Sequence, residues 1–201
     1  ASSRPSAGRI IERLNDLSPS ARVYVSTVVA GGAVVLGLFG PRSIANVPLF
    51  LGLLACSSLA SALKVSLPLA ASGSTMSVSY AVDFAALLLL GPDETMIVAA
   101  ASAYSQCTFR AQSKSPLYRT LFSMASLVLT VKAAGLVYEL LGGAEPGAPF
   151  VLADIAKPLV GAATMYFVGN TMLVATAIGL STKQRTLTVW NENFLWSAPS
   201  Y

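Results

Sequence analysis

Residues 127–140 read LVLTVKAAGLVYEL, an apolar run that a single lysine, Lys132, interrupts. The run lies inside an apolar block that extends from about 118 to 141 and ends at Gly142-Gly143. A helix of about 20 residues crosses the hydrocarbon core of a bilayer, which is about 30 Å thick. The block therefore predicts a membrane-spanning helix, and Lys132 raises the question of what neutralises an ammonium group inside it.

The composition of the whole chain agrees with this interpretation. Of its 201 residues, 54% are hydrophobic and only 11% are charged, and the mean hydropathy is +0.66. Soluble domains carry about 25% charged residues, so these values exclude an ordinary soluble domain. We interpret the chain as an integral membrane protein.

Six apolar segments, each bounded by turn residues or charges, predict six transmembrane helices. The third and fourth are separated by Gly91-Pro92-Asp93-Glu94, where the proline stops the preceding helix, and both are short enough to lie tilted or partly unwound. The sequence thus predicts an all-α membrane bundle over residues 22–182. The segments cover about 22–40, 46–64, 76–90, 94–109, 118–141 and 156–180.

The basic residues are distributed unequally between the two sides of this predicted bundle. Ten of the 13 fall on the side of the N-terminus, Arg42 and Lys157 fall on the other side, and Lys132 lies within a span. Cytoplasmic loops of membrane proteins are enriched in Lys and Arg. We therefore expect a multi-pass protein of the bacterial cytoplasmic membrane with both termini in the cytoplasm. The ten are Arg4, Arg9, Arg13, Arg22, Lys64, Arg110, Lys114, Arg119, Lys183 and Arg185.

Two polar segments flank the predicted bundle. Residues 1–21 contain an apolar stripe at helical spacing, which favours a short cytoplasmic helix at the membrane interface, although a frayed tail is an equal alternative. Residues 183–201 carry aromatic residues, which favour the headgroup level, and end in SAPSY, which resembles the lead-in to another helix. The stripe is Ile10, Ile11, Leu14 and Leu17, and the aromatic residues are Trp190, Phe194 and Trp196.

A buried ion pair is the leading interpretation of Lys132. An ammonium group near the bilayer centre costs several kcal/mol on insertion scales, roughly 3, and Asp83 is the one carboxylate predicted at a comparable depth. The alternative is that Lys132 extends along its own stem to water while Asp83 is protonated or hydrogen-bonded to a hydroxyl group. Glu139 lies seven residues after Lys132, where it lines an outward-facing pocket or sits at the interface.

Further polar side chains at membrane depth suggest a site for a small polar ligand. Such sites are mostly apolar with a few convergent hydrogen-bonding groups. Bridging between helices is the alternative, since Asn, Gln and Tyr also link membrane helices. The candidate ligand-binding residues are Asp83, Lys132, Tyr80, Tyr104, Gln106, Glu139, Tyr166 and Asn170.

Several classes of function are disfavoured. The chain has no histidine, so it lacks the commonest general base and metal ligand, and Cys56 and Cys107 have no metal-site spacing. We find no catalytic motif, predict no enzyme, catalytic residue or metal site, and identify no cofactor. The net charge of +4 comes from residues beside spans, so we expect no nucleic-acid partner; the expected partners are the bilayer, a small polar ligand and a cytoplasmic or membrane protein.

Three stretches carry a resemblance to a known group of proteins: KSPLYRTLFSMASLVLTVKAAGLVYELLGG (114–143), YFVGNTMLVATAIGL (166–180) and WNENFLWSAPSY (190–201). Most of the chain after about residue 45 resembles the N-terminal membrane regions of bacterial signalling proteins with HD-type cyclic-di-GMP phosphodiesterase, diguanylate cyclase or GAF output domains. The resemblance implies a sensor module followed by further spans and a soluble domain. In architecture alone, the chain is also similar to S components of energy-coupling-factor transporters.

Three functions stay open at this point. The first is a membrane sensor that binds a ligand and couples to a cytoplasmic partner or output domain. The second is the substrate-capture subunit of a vitamin or micronutrient transporter. The third is a non-catalytic structural subunit of a larger membrane assembly.

Overall fold

The computed structural model describes residues 17–62, 65–66, 75–76, 79–108, 116–149 and 151–194. Within these ranges the chain forms seven helices and one short antiparallel ladder, in which Val65 pairs with Met76. The helices are α1 (Pro19–Phe39), α2 (Val47–Ala62), α3 (Ser79–Leu90), α4 (Pro92–Thr108), α5 (Leu117–Leu140), α6 (Leu152–Thr182) and α7 (Thr186–Asn193), and the strands are β1 (Val65–Ser66) and β2 (Thr75–Met76).

The helical architecture predicted from the sequence is confirmed, because each of the six apolar segments overlaps one helix. In the described part of the chain, three helical segments are long and apolar enough to cross a membrane: Pro19–Phe39, Leu117–Leu140 and Ala153–Thr182. Helices α2 and α3 are apolar but shorter. The number of helices that cross the membrane stays a prediction. The predicted interfacial helix of residues 1–21 lies largely outside the described residues.

Local sequence signals explain where the helices begin and end. The Ser18 hydroxyl accepts a hydrogen bond from the Ala21 N–H at the start of α1, as expected of an N-cap residue. Gly91 has a φ of +90°, a conformation that glycine adopts without a steric penalty, and it ends α3 directly before Pro92 begins α4. Lys183 ends α6 in the left-handed region, with a φ of 58°.

Helix α5 lies at the centre of the packing. It contacts α1, α4 and α6, whereas α4 also packs against α2 and α3, and α7 packs against α6. Helices α1 and α5 approach each other closely at Gly32, where an added Cβ would lie 2.6 Å from the Cβ of Ala125. The largest core cluster joins residues of α3, α4, α5 and α6: Leu87, Met96, Ala99, Ala100, Val128, Val131, Ala134, Tyr138, Ala162 and Tyr166.

The turn between α3 and α4 lies inside the bundle rather than level with the end of α5. A Cβ added to Gly135 of α5 would lie 2.5 Å from the Cβ of Pro92, and Gly135 precedes the end of α5 by five residues, which is about 7 Å of helix. The loop after α5 covers this turn, since the Gly147 N–H donates to the Leu88 carbonyl at 3.1 Å. The short lengths of α3 and α4 follow from this inset turn.

The two ends of the bundle differ in charge among the described residues. The start of α1 meets the end of α6, where the Ser18 hydroxyl donates to the Leu180 carbonyl at 2.8 Å, and the start of α5 shares a groove with both. We call this end the basic end, and it holds Arg22, Arg119, Lys183 and Arg185. The opposite end, the acidic end, holds Asp93, Glu94, Glu139, Glu145 and Asp154, together with the basic residues Arg42 and Lys157.

Candidate functional site

Asp83 forms a buried polar cluster with two hydroxyl groups. Its side chain is 1% exposed. The Ser57 hydroxyl donates to Asp83 Oδ1 at 3.0 Å, and the Tyr166 hydroxyl donates to Asp83 Oδ2 at 2.8 Å. Both carboxyl oxygens therefore have a partner, and we call these three residues the Asp83 cluster.

Each member of the Asp83 cluster comes from a different helix. Ser57 lies in α2, Asp83 in α3 and Tyr166 in α6. The long tyrosine side chain bridges α6 to α3, and its ring packs on Phe84, with the ring centroids 5.2 Å apart. The cluster thus links three helices through side chains.

The surroundings make these hydrogen bonds energetically important. Ser57 is fully buried and Tyr166 is 4% exposed, and Tyr166 belongs to the largest core cluster. A buried polar group that loses its partner costs about 1–3 kcal/mol, because no water replaces the lost hydrogen bond. The hydrogen bonds of the Asp83 carboxyl group therefore stabilise the observed positions of α2, α3 and α6 relative to one another.

The predicted pairing of Lys132 with Asp83 is wrong. Lys132 Nζ instead lies 2.7 Å from Asp93 Oδ1, and the side chains are 15% and 44% exposed, respectively. The ammonium group also lies 4.5 Å from the ring centroid of Phe39, within the range of a cation–π interaction. Lys132 thus extends along its own stem toward the acidic end, as the alternative interpretation predicts, and its ammonium group pairs there with the Asp93 carboxylate.

The inset α3–α4 turn explains this outcome. Lys132 precedes the end of α5 by eight residues, about 12 Å of helix, which suggested a deep partner. Because Pro92 lies beside Gly135, Asp93 is brought below the end of α5 and within reach of Lys132. In the sequence, Asp93 belongs to the turn that separates two apolar segments, and no local pattern there indicates a contact with Lys132.

A cavity of about 360 Å³ opens beside this ion pair. Its lining includes Phe39, Arg42, Asp93 and Glu94, so it joins the end of α1 to the start of α4. Both acidic residues lie in the first turn of α4, where negative charge is favourable for the helix dipole. The Lys132–Asp93 pair is therefore part of the surface of the acidic end.

The other predicted site residues are dispersed. Tyr80 is half-buried one turn before Asp83 and packs against the largest core cluster. Tyr104 is 51% exposed and Glu139 is exposed, while Gln106 and Asn170 are half-buried. Among the described contacts, none joins these last four residues to the Asp83 cluster. Of the eight predicted residues, the structure brings Asp83 and Tyr166 into direct contact.

Ser57 is the member of the cluster that the sequence analysis missed. Its signal was the repeated placement of serine on one face of α2, since Ser61 follows it by one turn and is also buried. The Ser61 hydroxyl makes no hydrogen bond within the described part of the chain. A pair of buried serines at this spacing in an apolar helix indicates a polar contact with a neighbouring helix.

Comparison with protein families decides the class of this chain. Residues 43–201 match the model of MASE9, a family of membrane-associated sensor domains. The chain belongs to the MASE9 family. The predicted membrane sensor region is confirmed at this level, and the match covers α2 to α7 and therefore includes the whole Asp83 cluster. No curated protein and no solved structure matches the chain.

Proposed function

We propose that this MASE9 domain is a sensor of the bacterial cytoplasmic membrane that binds a small polar ligand and couples to a cytoplasmic partner or output domain. The observation that carries the proposal is the Asp83 cluster, a buried carboxyl group held by hydroxyl groups from two other helices. A ligand that exchanges hydrogen bonds with this carboxyl group would bind two arrangements of the helices unequally, which is the requirement for a signal.

Ser61 supports the binding of a polar ligand near the cluster. Its buried hydroxyl lies one turn from Ser57 and makes no hydrogen bond within the described chain. An unpartnered buried hydroxyl group favours a bound molecule that supplies an acceptor or donor. The ligand we propose is small and carries at least two hydrogen-bonding groups, one for Asp83 and one for Ser61.

Helix α6 provides a route from this cluster to the end of the described chain. Tyr166 and Thr171 lie on it, and Trp190 of α7 donates its indole N–H to the Thr171 hydroxyl at 2.9 Å. The Phe167 and Trp190 rings also contact, with centroids 6.2 Å apart. A movement of α6 that separates Tyr166 from Asp83 would therefore carry α7 with it.

Signalling by the complete gene product tests this proposal. We expect the reading frame beyond Tyr201 to continue into a phosphodiesterase or cyclase domain. Tyr166→Phe and Trp190→Phe should then each change the cellular cyclic-di-GMP level at least about twofold at equal membrane abundance. A change of this size corresponds to a small coupling free energy between the Asp83 cluster and the output domain. The exposed Tyr104→Phe should leave it unchanged.

Two outcomes would contradict the sensor. One is a cyclic-di-GMP level that responds to neither Tyr166→Phe nor Trp190→Phe. The other is a gene product that ends near Tyr201 and co-purifies with a coupling subunit and ATPases, which would favour substrate capture.

We also propose six membrane crossings with both termini in the cytoplasm. The four described basic residues of the predicted cytoplasmic set share one end of the bundle, in support of this orientation. A membrane-impermeant thiol reagent tests this orientation. The variants are Glu145→Cys and Lys183→Cys, each in a chain that also carries Cys56→Ala and Cys107→Ala. Labelling of position 145 from outside intact cells and of position 183 only after lysis is expected, whereas labelling of both from one side contradicts it.

A further inference from the structure

A second site of the molecule lies at the basic end, in a groove between α1, α5 and α6. The groove has a volume of about 450 Å³, within the range of small-molecule sites. Its walls are mostly apolar, with Val25 from α1, Phe122 from α5, and Val174 and Ile178 from α6. We call it the α1–α5–α6 groove.

The rim of the groove carries a positive charge. Arg119 lies at the rim, and Lys183 follows the last lining residue, Thr182. Among the described residues that line the groove, none is acidic. An apolar cleft with a cationic mouth is complementary to an amphiphile that has an anionic head and a hydrocarbon tail.

The hydroxyl groups at the rim differ in what they offer. Those of Ser181 and Thr182 donate to carbonyl groups of their own helix, at 2.7 Å and 2.9 Å, so they present only acceptor lone pairs. Tyr118 and Ser123 also line the groove on its α5 side, and a hydroxyl group of either type is able to donate a hydrogen bond. An anionic head group is therefore expected on the α5 side, beside Arg119.

We propose that the α1–α5–α6 groove binds one anionic phospholipid. The phosphate group lies against Arg119 with hydrogen bonds from Tyr118 or Ser123, and an acyl chain lies along Val25, Phe122 and Val174. The apolar walls favour a lipid over free phosphate, since a soluble anion gains nothing from them. This inference depends on the membrane location of the chain and is independent of a sensor role.

Native mass spectrometry of the purified full chain in detergent tests the proposal. Phosphatidylglycerol and phosphatidylcholine are added in steps, and bound lipid is counted. We expect one retained phosphatidylglycerol that binds at least about tenfold more tightly than phosphatidylcholine, the scale of one charge-assisted contact. Arg119→Gln should remove most of this preference, because it removes the cation at the rim.

Matched controls separate this site from general charge effects. Arg42→Gln removes an exposed arginine at the acidic end, far from the groove. It should change the affinity for phosphatidylglycerol less than about twofold, because an exposed charge without a direct contact contributes little. Ala177 of α6 also lines the groove, so Ala177→Phe fills the groove without changing the charge and should abolish lipid retention. Should this variant fail to fold, Arg119→Gln still decides, because Arg119 is exposed and its replacement leaves the packing intact.

Four results would overturn the lipid site. They are equal binding of the two lipids, equal losses for Arg119→Gln and Arg42→Gln, unchanged retention in a folded Ala177→Phe variant, and displacement of the lipid by millimolar sodium phosphate. The last result would reassign the groove to a soluble anion.

Discussion

Asp83 and Lys132 are both ionisable residues in an apolar bundle, but their side chains have different surroundings. Asp83 is 1% exposed and is held by two neutral hydroxyl groups. Lys132 is 15% exposed and is paired with a carboxylate that is itself 44% exposed. The comparison shows that the deep group links helices, whereas the shallower group extends to the surface and meets an opposite charge there.

The difference has a physical origin in side-chain length. Lysine has a four-carbon stem, so its ammonium group reaches water or a surface partner from a buried backbone position. Aspartate has one methylene group, so the Asp83 carboxyl group lies close to the backbone of α3. Its hydrogen-bond partners are therefore side chains of the adjacent helices. We therefore expect substitutions in the Asp83 cluster to lower the free energy of unfolding strongly. Substitutions in the Lys132–Asp93 pair, which we call the surface pair, should lower it less.

The largest effect is expected when Asp83 loses both partners. The double variant Ser57→Ala with Tyr166→Phe removes both donor hydroxyl groups and adds no atom to the packed core. The free energy of unfolding should fall by about 3 kcal/mol or more, since each lost partner of a buried group costs about 1–3 kcal/mol. Steric-trapping measurements in bicelles check this, and a loss below about 1 kcal/mol would show that the cluster holds little energy.

A smaller loss is expected for Tyr166→Phe alone. Ser57 still donates to Asp83, so the free energy of unfolding should fall by about 1–2 kcal/mol. Tyr104→Phe is the matched control because Tyr104 is 51% exposed, and it should fall within the error of the same measurement. Equal losses for the two variants would mean that the Tyr166 hydroxyl has no special role.

The surface pair should contribute less than the buried cluster. A double-mutant cycle of Lys132→Met and Asp93→Asn should give a coupling energy of about 0.2–1 kcal/mol, the range of ion pairs at protein surfaces, because Asp93 is 44% exposed. Lys132→Met should lose slightly more than Asp93→Asn, because it also removes the contact with the Phe39 ring. A coupling above about 3 kcal/mol would mark the pair as a buried one.

The smallest effect separates the two regions by their response to salt. The stability lost in Lys132→Met should shrink when the ionic strength rises from about 0.01 M to 1 M, because the screening length falls from about 30 Å to 3 Å. The loss in Tyr166→Phe should stay constant, since it involves a neutral donor in the core. Thermal unfolding in detergent at several salt concentrations measures both, and equal salt dependence would remove the distinction.

The helices were predictable from the sequence, while their relative depths were not. Apolar blocks of nearly membrane length, separated by residues such as Gly91-Pro92, locate six of the seven helices. The position of the α3–α4 turn below the end of α5 depends on Pro92 packing against Gly135, a contact between distant residues that no local pattern reveals. Because the sequence does not reveal the depth of the α3–α4 turn, it leads to the wrong partner for Lys132.

Pairs of small residues four positions apart are a sequence signal for close helix contacts, but in this chain they do not locate the contact between α1 and α5. Ser58 and Ala62 of α2 have this spacing and are half-buried. Ser26 and Ala30, and Ala33 and Gly37, have the same spacing in α1, yet all four are exposed. The close approach of α1 to α5 is at Gly32, which belongs to neither pair. In a chain rich in alanine and glycine many such pairs occur, so spacing alone does not select the contact face.

The most direct test of the central claim compares two double-mutant cycles that share Asp83→Asn. One cycle pairs it with Tyr166→Phe and the other with Lys132→Met, and both are measured as free energies of unfolding in the same bicelles. Because residues in one hydrogen-bond network couple and separate residues add, we expect a coupling of at least about 1 kcal/mol for Tyr166 and additivity within about 0.5 kcal/mol for Lys132. Additivity with Tyr166 together with strong coupling to Lys132 would contradict the account.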